Sequence, residues 1–111
     1  MLIELPWPPS ALSPNARGHW SKKAKPAAKY RADAKLVARK RHNFSGALHL
    51  DITFHPPDKR RRDIDNMLSS IKSGLDGISD ALGIDDSEWA MTIRKGAVVK
   101  RGLVSIEVNQ G

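Results

Sequence analysis

The chain predicts a small α+β domain whose elements follow the order β-α-β-α-β-β. Three observations carry this. The chain has 111 residues, enough for one domain with one modest core. The segment Leu48 to His55 alternates strictly between apolar and polar residues, the period of a strand with one buried face. The segment from about Asp63 to Leu82 repeats apolar residues at the helical period for about five turns.

Each element has its own signal. Leu2 to Leu5 reads as a short strand, cut by Pro6-Trp7-Pro8-Pro9-Ser10, because prolines remove ladder donors and hold the chain extended. Residues 10 to 21, with Ser13-Pro14-Asn15 and Gly18, read as a loop. Lys22 to His42 predicts a basic helix, and Pro26 either lies in its first turn or marks its true start. Tyr30, Ala34, Val37 and Ala38 form a thin apolar stripe on it, with Lys29, Arg31, Lys35, Arg39, Lys40 and Arg41 over the remainder. Asn43 to Gly46 is a turn. In the strand that follows, Leu48, Leu50, Ile52 and Phe54 face inward, and Pro56-Pro57 ends it. The second helix buries Met67, Leu68, Ile71, Leu75, Ile78 and Leu82 along with Ile64, and Gly83 is its expected C-cap. Two strands, roughly Glu88 to Val99 and Leu103 to Val108, close the chain as a hairpin turning at Lys100-Arg101-Gly102. No repeat, low-complexity tract or linker divides residues 1–111, so one domain is expected.

Composition narrows the function. The formal net charge is +7, from 19 Lys and Arg against 12 Asp and Glu, which points to a polyanion partner and first to nucleic acid. Lys29, Lys35 and Arg39 of the basic helix are candidate DNA contacts. The absence of cysteine excludes disulfides, thiolate metal sites and Cys nucleophiles, and fits a reducing cytoplasm. No apolar run is long enough to span a membrane, and the N-terminus lacks the basic start and apolar stretch of a signal peptide. A domain this small often gains core and working surface by forming a symmetric dimer.

The chemistry concentrates in Asp58-Lys59-Arg60-Arg61-Arg62-Asp63-Ile64-Asp65-Asn66, where the second helix begins. Inside a helix, Asp63 and Asp65 would point about 200° apart and share no ligand. In extended chain, residues two apart face the same way, so a shared ion requires Asp63 to lie outside the regular helix. The basic run ahead of it, unfavourable beside a helix N-terminus, makes such an entry plausible. A second acidic cluster, Asp85-Asp86 with Glu88, follows the helix. A helix of some 18 residues is about 27 Å long. The chain after Gly83 must therefore run back along it, or a partner subunit must supply the second cluster. Gathered carboxylates make a hard oxygen site suited to Mg²⁺, which polarises a phosphodiester and activates water. Lys59, Arg60, Arg61 and Arg62 would hold the DNA backbone. The plainer alternative is that Asp63 and Asp65 cap a helix and pair with nearby arginines.

Leu5-Pro6-Trp7-Pro8-Pro9-Ser10, the basic run into Asp63-Ile64-Asp65-Asn66, and the later Asp85-Asp86 together resemble the RusA family of Holliday junction resolvases of bacteria and their phages. The likeness covers almost the whole chain. It implies a mixed sheet packed with two helices, a homodimer, and a Mg²⁺-dependent endodeoxyribonuclease that resolves four-way DNA junctions by paired nicks. The family's metal-binding acids fall on Asp63, Asp65 and Asp86, with Asp85 in the same cluster, and its setting is the DNA of a bacterial or phage-infected cell. The family's catalytic lysine, one turn after its second Asp, falls on Ser69, a departure. Lys72 is the candidate replacement: with Asp65 at zero on a helical wheel, Ser69 lies at about 40° and Lys72 at about −20°. A long lysine leaning toward the N-terminus would reach a phosphate bound there; otherwise Lys72 is an ordinary solvated residue.

The remaining candidates carry less. His19, His42, His49 and His55 lack zinc-site spacing. Trp20, beside His19, would either stack on an unpaired base or join the core, while Trp7 and Trp89 read as packing residues. Three functions are thus in view: a junction-resolving nuclease, a weak or inactive junction-binding relative of the same fold, and a basic protein binding RNA or other proteins.

Overall fold

Strand β2 (Leu48–His55) is the axis of the fold in this computed structural model, which describes residues 1–16 and 21–111, apart from the side chain of Ser21. Gly18, His19 and Trp20 lie outside the described residues. The other elements are β1 (Leu2–Pro6), α1 (Ser21–Ala38), α2 (Ile64–Ser70), α3 (Lys72–Leu82), β3 (Trp89–Lys95) and β4 (Leu103–Gln110). Short 3₁₀ turns occupy Ser10–Leu12 and Asp86–Glu88. The four strands form one mixed sheet in the order β1-β4-β2-β3, so the expected α+β class holds.

The alternation of β2 works as read. Leu48, Leu50, Ile52 and Phe54 are fully buried, and Ile3 and Leu5 of β1 with Val104, Ile106 and Val108 of β4 extend the same apolar face. Tyr30, Ala34 and Ala38 of α1 and Leu75, Ile78 and Leu82 of α3 cover it, with Met67 and Ile71 beside them. The two covering helices approach closely because α3 carries glycines at the contact. A Cβ on Gly77 would strike the Arg31 carbonyl oxygen and lie 3.0 Å from the Ala34 Cβ; one on Gly74 would lie 2.7 Å from the Tyr30 ring.

Four expectations are corrected. The closing strands are not a hairpin: β4 runs antiparallel to β2, from Leu48↔Gln110 to His55↔Leu103, and β3 pairs parallel to β2, from Leu48↔Trp89 to Phe54↔Lys95. Strand β3 ends at Lys95, and residues 96–102 cross the end of β2, held by Gly96 N–H to Phe54 O at 2.8 Å and Val99 N–H to Pro56 O at 3.0 Å. A hairpin through Lys100-Arg101-Gly102 would have placed β3 beside β4, where β2 already occupies the ladder. The long second helix is two helices. At Ile71 the backbone turns to φ −102°, ψ 9°, and its N–H bonds back to Leu68 O. The Ser70 hydroxyl donates to Asn66 O at 2.8 Å, the side-chain competition that bends helices. Ile64, expected in the core, is 43% exposed, because it opens α2 ahead of the packed turns. Helix α1 begins at Ser21 and ends at Ala38, short of His42, so Pro26 lies beyond its first turn. Proline has no N–H to donate, and the exposed Lys22 leaves the deprived carbonyl near solvent.

Among the described residues, no helix is long and apolar enough to cross a membrane.

Candidate functional site

The head of α2 is built from two chain segments that the fold brings together. After β1 the chain continues through Trp7, whose ring meets Phe54 edge-on at 6.1 Å. Gly102 closes against the same tryptophan; a Cβ there would lie 2.6 Å from the Trp7 Cβ, and φ of +76° suits glycine. Over the ring stands Arg62, its guanidinium carbon 5.6 Å from the centroid, within cation–π range.

Arg62 is thereby an internal residue. Its Nη1 donates to Asp58 Oδ1 at 2.8 Å and to the Asp58 and Arg60 carbonyls, and its side chain is only 20% exposed. The hydrogen bond from Arg62, joined by the Arg60 backbone N–H, holds the Asp58 carboxyl below its usual range. Lys59, Arg60 and Arg61 face solvent, with Arg60 in a loose 3.6 Å pair with Asp58. The basic run is therefore divided: Arg62 braces the loop, while Lys59, Arg60 and Arg61 present charge outward. Asp58 was the missed partner, and its spacing of four from Arg62 was the available signal.

Asp63 lies outside the helix, in extended backbone at φ −85°, ψ 138°, and Asp65 falls in the first turn. Both side chains are exposed. The Asp63 carbonyl accepts the Met67 N–H at 3.1 Å, and the Asp65 carboxylate accepts the Asn66 N–H at 3.0 Å. The Asp63 side chain makes no capping bond, so it remains available to another partner.

The second acidic cluster does return along the helix. Lys72 opens α3, and its Nζ donates to Asp86 Oδ2 at 3.2 Å and to Asp76 Oδ1 at 2.8 Å. Hydrogen bonding to Asp76 raises the Lys72 pKa above its ordinary value, and Asp86 adds to this against partial desolvation. The ammonium is charged throughout the physiological range. Asp85 caps the following 3₁₀ turn by accepting the Ser87 N–H at 3.2 Å, and hydrogen bonds from Ser87 lower its pKa. From Asp86 the chain enters β3, which runs beside α2 until Lys95 Nζ reaches the Arg62 carbonyl at 2.9 Å. Ser69, Lys72, Asp86 and Trp89 consequently line one groove of about 410 Å³. Asp76 was not singled out from the sequence, although Lys72 and Asp76 have the spacing of a helical ion pair.

Asp63 and Asp65 thus stand at the head of α2, and Asp86 stands with Lys72 at the head of α3. Among the described residues, no three Asp, Glu or His side chains gather closely enough to hold one metal ion. The donor chemistry suits Mg²⁺, but one chain alone does not assemble the three-acid site in this arrangement. On α1, Lys29 pairs with Asp33 at 2.7 Å, while Arg31 pairs with Asp80 of α3. Lys35 is half-buried and Arg39, just beyond the helix, is exposed. The histidines of β2 have structural partners: His49 meets Thr92 Oγ1 at 2.9 Å, and His55 Nδ1 donates to the Ala97 carbonyl at 2.9 Å.

No protein-family profile matches the chain. A protein of Xylella fastidiosa (strain Temecula1 / ATCC 700964), described as an uncharacterized protein, is 45% identical over an alignment of 94 residues that covers 78% of this chain. The chain spans 61% of that relative's length.

Proposed function

We propose that the protein is a structure-specific endodeoxyribonuclease that binds four-way DNA junctions and nicks them with Mg²⁺, in the manner of the RusA family it resembles. The observation that carries this reading is the placement of Asp63 in extended backbone directly before α2, with Asp65 in the first turn and the exposed Lys59, Arg60 and Arg61 beside them. Anionic oxygens next to outward cations suit a metal-bridged phosphodiester. Asp63 and Asp65 would hold the ion, and Asp86 would complete the set from the 3₁₀ turn after α3 of the same chain or from a second subunit. A homodimer fits this reading, because β3 leaves one edge of the sheet unpaired and carries the 42% exposed Met91. Such an activity belongs with chromosomal or phage DNA in the bacterial cytoplasm. Incubation with four-way and linear DNA, with and without Mg²⁺, tests it: junction-selective, Mg²⁺-dependent nicks are expected, and intact junctions in Mg²⁺ would refute nuclease activity.

A second reading, a junction-binding protein without catalysis, is favoured by one specific feature. Ser69 stands where the RusA family has its lysine, and the nearest substitute, Lys72, is already shared between Asp76 and Asp86. Tight junction binding without nicking would select this reading.

A further inference from the structure

Between the Trp7–Pro9 segment and the head of α2 lies a cavity of about 390 Å³. Its size falls in the range of roughly 300–1,000 Å³ typical of pockets for whole small ligands. Pro8 and Pro9 provide rigid apolar walls, the Met67 thioether provides an adaptable one, and Ser10, Ser13 and Asn66 provide hydrogen-bonding groups. Arg61 and Asp63 line it too, and both are exposed. Among the described residues Arg61 is in no ion pair, unlike Arg60 and Arg62.

This combination separates ligand classes. A bare phosphate would leave the apolar walls unused. A purely apolar group would leave the hydroxyls and the Asn66 amide unanswered. A nucleobase has two flat apolar faces and an edge of donors and acceptors, and its 5′ phosphate gives Arg61 a partner. We infer that this cavity receives one unstacked nucleotide of the bound DNA, its base between the prolines and Met67, its edge on Ser13 and Asn66, and its phosphate toward Arg61. The inference rests on the DNA reading above and deepens it: the nucleotide lies beside Asp63, so the cavity reads the base next to the nick. Extruding a base costs least where stacking is already broken, as at a branch point.

The test uses the full chain in EDTA, with deoxyguanosine and deoxycytidine 5′-monophosphates as probes and deoxyribose 5-phosphate as the base-free control. In ¹H–¹⁵N spectra, saturable shifts are expected at the Trp7 indole and at Ser10, Ser13 and Asn66. The sugar phosphate should bind roughly tenfold more weakly, the scale of one base contact. Asn66→Leu and Ser13→Val should each weaken the nucleotide severalfold while retaining the wild-type melting curve; two variants guard against one misfolding. Equal shifts from nucleotide and sugar phosphate, or shifts confined to the lysines of α1, would overturn the proposal. In a second arm, an abasic residue beside the branch should weaken junction binding about tenfold in wild type and scarcely in Asn66→Leu. Equal affinity of wild type for intact and abasic junctions would overturn the assignment to DNA, even if free nucleotides bind. Because no arm reads cleavage, absence of nicking does not decide it. A failed titration beside intact Mg²⁺-dependent nicking overturns this proposal alone.

Discussion

Replacing Lys72 with alanine distinguishes a catalytic group from a structural counter-ion, because the structure bounds what the loss of charge does to folding. Lys72 contacts Asp76 Oδ1 at 2.8 Å and Asp86 Oδ2 at 3.2 Å, so those oxygens are no more than about 6 Å apart. Two unit charges at that separation repel by at least about 0.7 kcal/mol in a water-like dielectric. The side chain is 61% exposed, and exposed ion pairs contribute about 0–1 kcal/mol each. The whole destabilisation should therefore stay near or below about 2 kcal/mol, leaving Lys72→Ala folded at 25 °C. A group that moves a proton in the transition state contributes ~10²–10⁴-fold in rate, far outside that stability effect. Single-turnover cleavage of a four-way junction at saturating protein reads the rate, and thermal melting reads the fold. If Lys72 acts on the phosphate, the rate falls at least about a hundredfold with little change in junction affinity, and adding Ser69→Lys restores part of it. Cleavage within severalfold of wild type would refute a catalytic Lys72 and leave it as the tie between α3 and the Asp86 turn.

Other predictions separate the residues gathered at the head of α2. Asp63→Asn or Asp65→Asn should abolish nicking and preserve junction binding in EDTA, measured by gel shift; near-wild-type nicking would remove that residue from the metal set. Arg61→Ala should flatten the plot of log affinity against log salt by about 0.9, one phosphate contact. Arg62→Ala should leave the slope nearly unchanged and lower the melting temperature, because Arg62 is bound to Asp58 and Trp7. Gly77→Ala should cost about 1–3 kcal/mol by overpacking, despite alanine's better helix propensity, since its methyl meets the Arg31 carbonyl; unchanged denaturant stability would show that α1 and α3 part freely. Hydrogen bonding from Arg31 lowers the Asp80 pKa. The stability from this tie is present above the ordinary Asp pKa of about 3.9 and is lost as pH falls through the lower folded value. Asp80→Asn should accordingly flatten the acid limb of the stability curve, and an unaltered limb would discount the pair.

The parts of the site legible in the sequence were those governed by local rules. The clash between a basic run and a helix N-terminus implied an extended Asp63, and the structure has it. The wheel position that put Ser69 and Lys72 on one side also holds in outline, since both line one groove despite the break at Ile71. What was not legible depended on competition between partners. A run of four cations reads as one patch, yet Arg62 is withdrawn by Asp58, four residues back in the same run, and by Trp7 from a distant segment. Lys72 reads as a free ammonium, yet it holds two carboxylates. The helix break at Ile71 is accompanied by the Ser70 hydroxyl taking the Asn66 carbonyl, a choice the apolar period does not encode because Met67, Ile71 and Leu75 keep their spacing through it.

The misread hairpin bears directly on the site. Had β3 turned back onto β4, the chain leaving Asp86 would have had no reason to run along α2. Parallel pairing with β2 requires a crossover, and α2 and α3 are that crossover. The chain must return to the starting end of β2 before β3 begins, and Leu48↔Trp89 is the register this produces. That return carries Asp86 to the head of α3 and then draws β3 past α2 to the Arg62 carbonyl. The same topology that brings the second acidic cluster back toward the first also limits the approach, because Asp86 stops where Lys72 holds it. Closing the remaining gap to Asp63 and Asp65 requires Lys72 to release Asp86 or a second chain to supply its own. The two routes differ in a measurable way: mixing Asp63→Asn with Asp86→Asn protein should restore nicking only if the acids of one site come from two subunits.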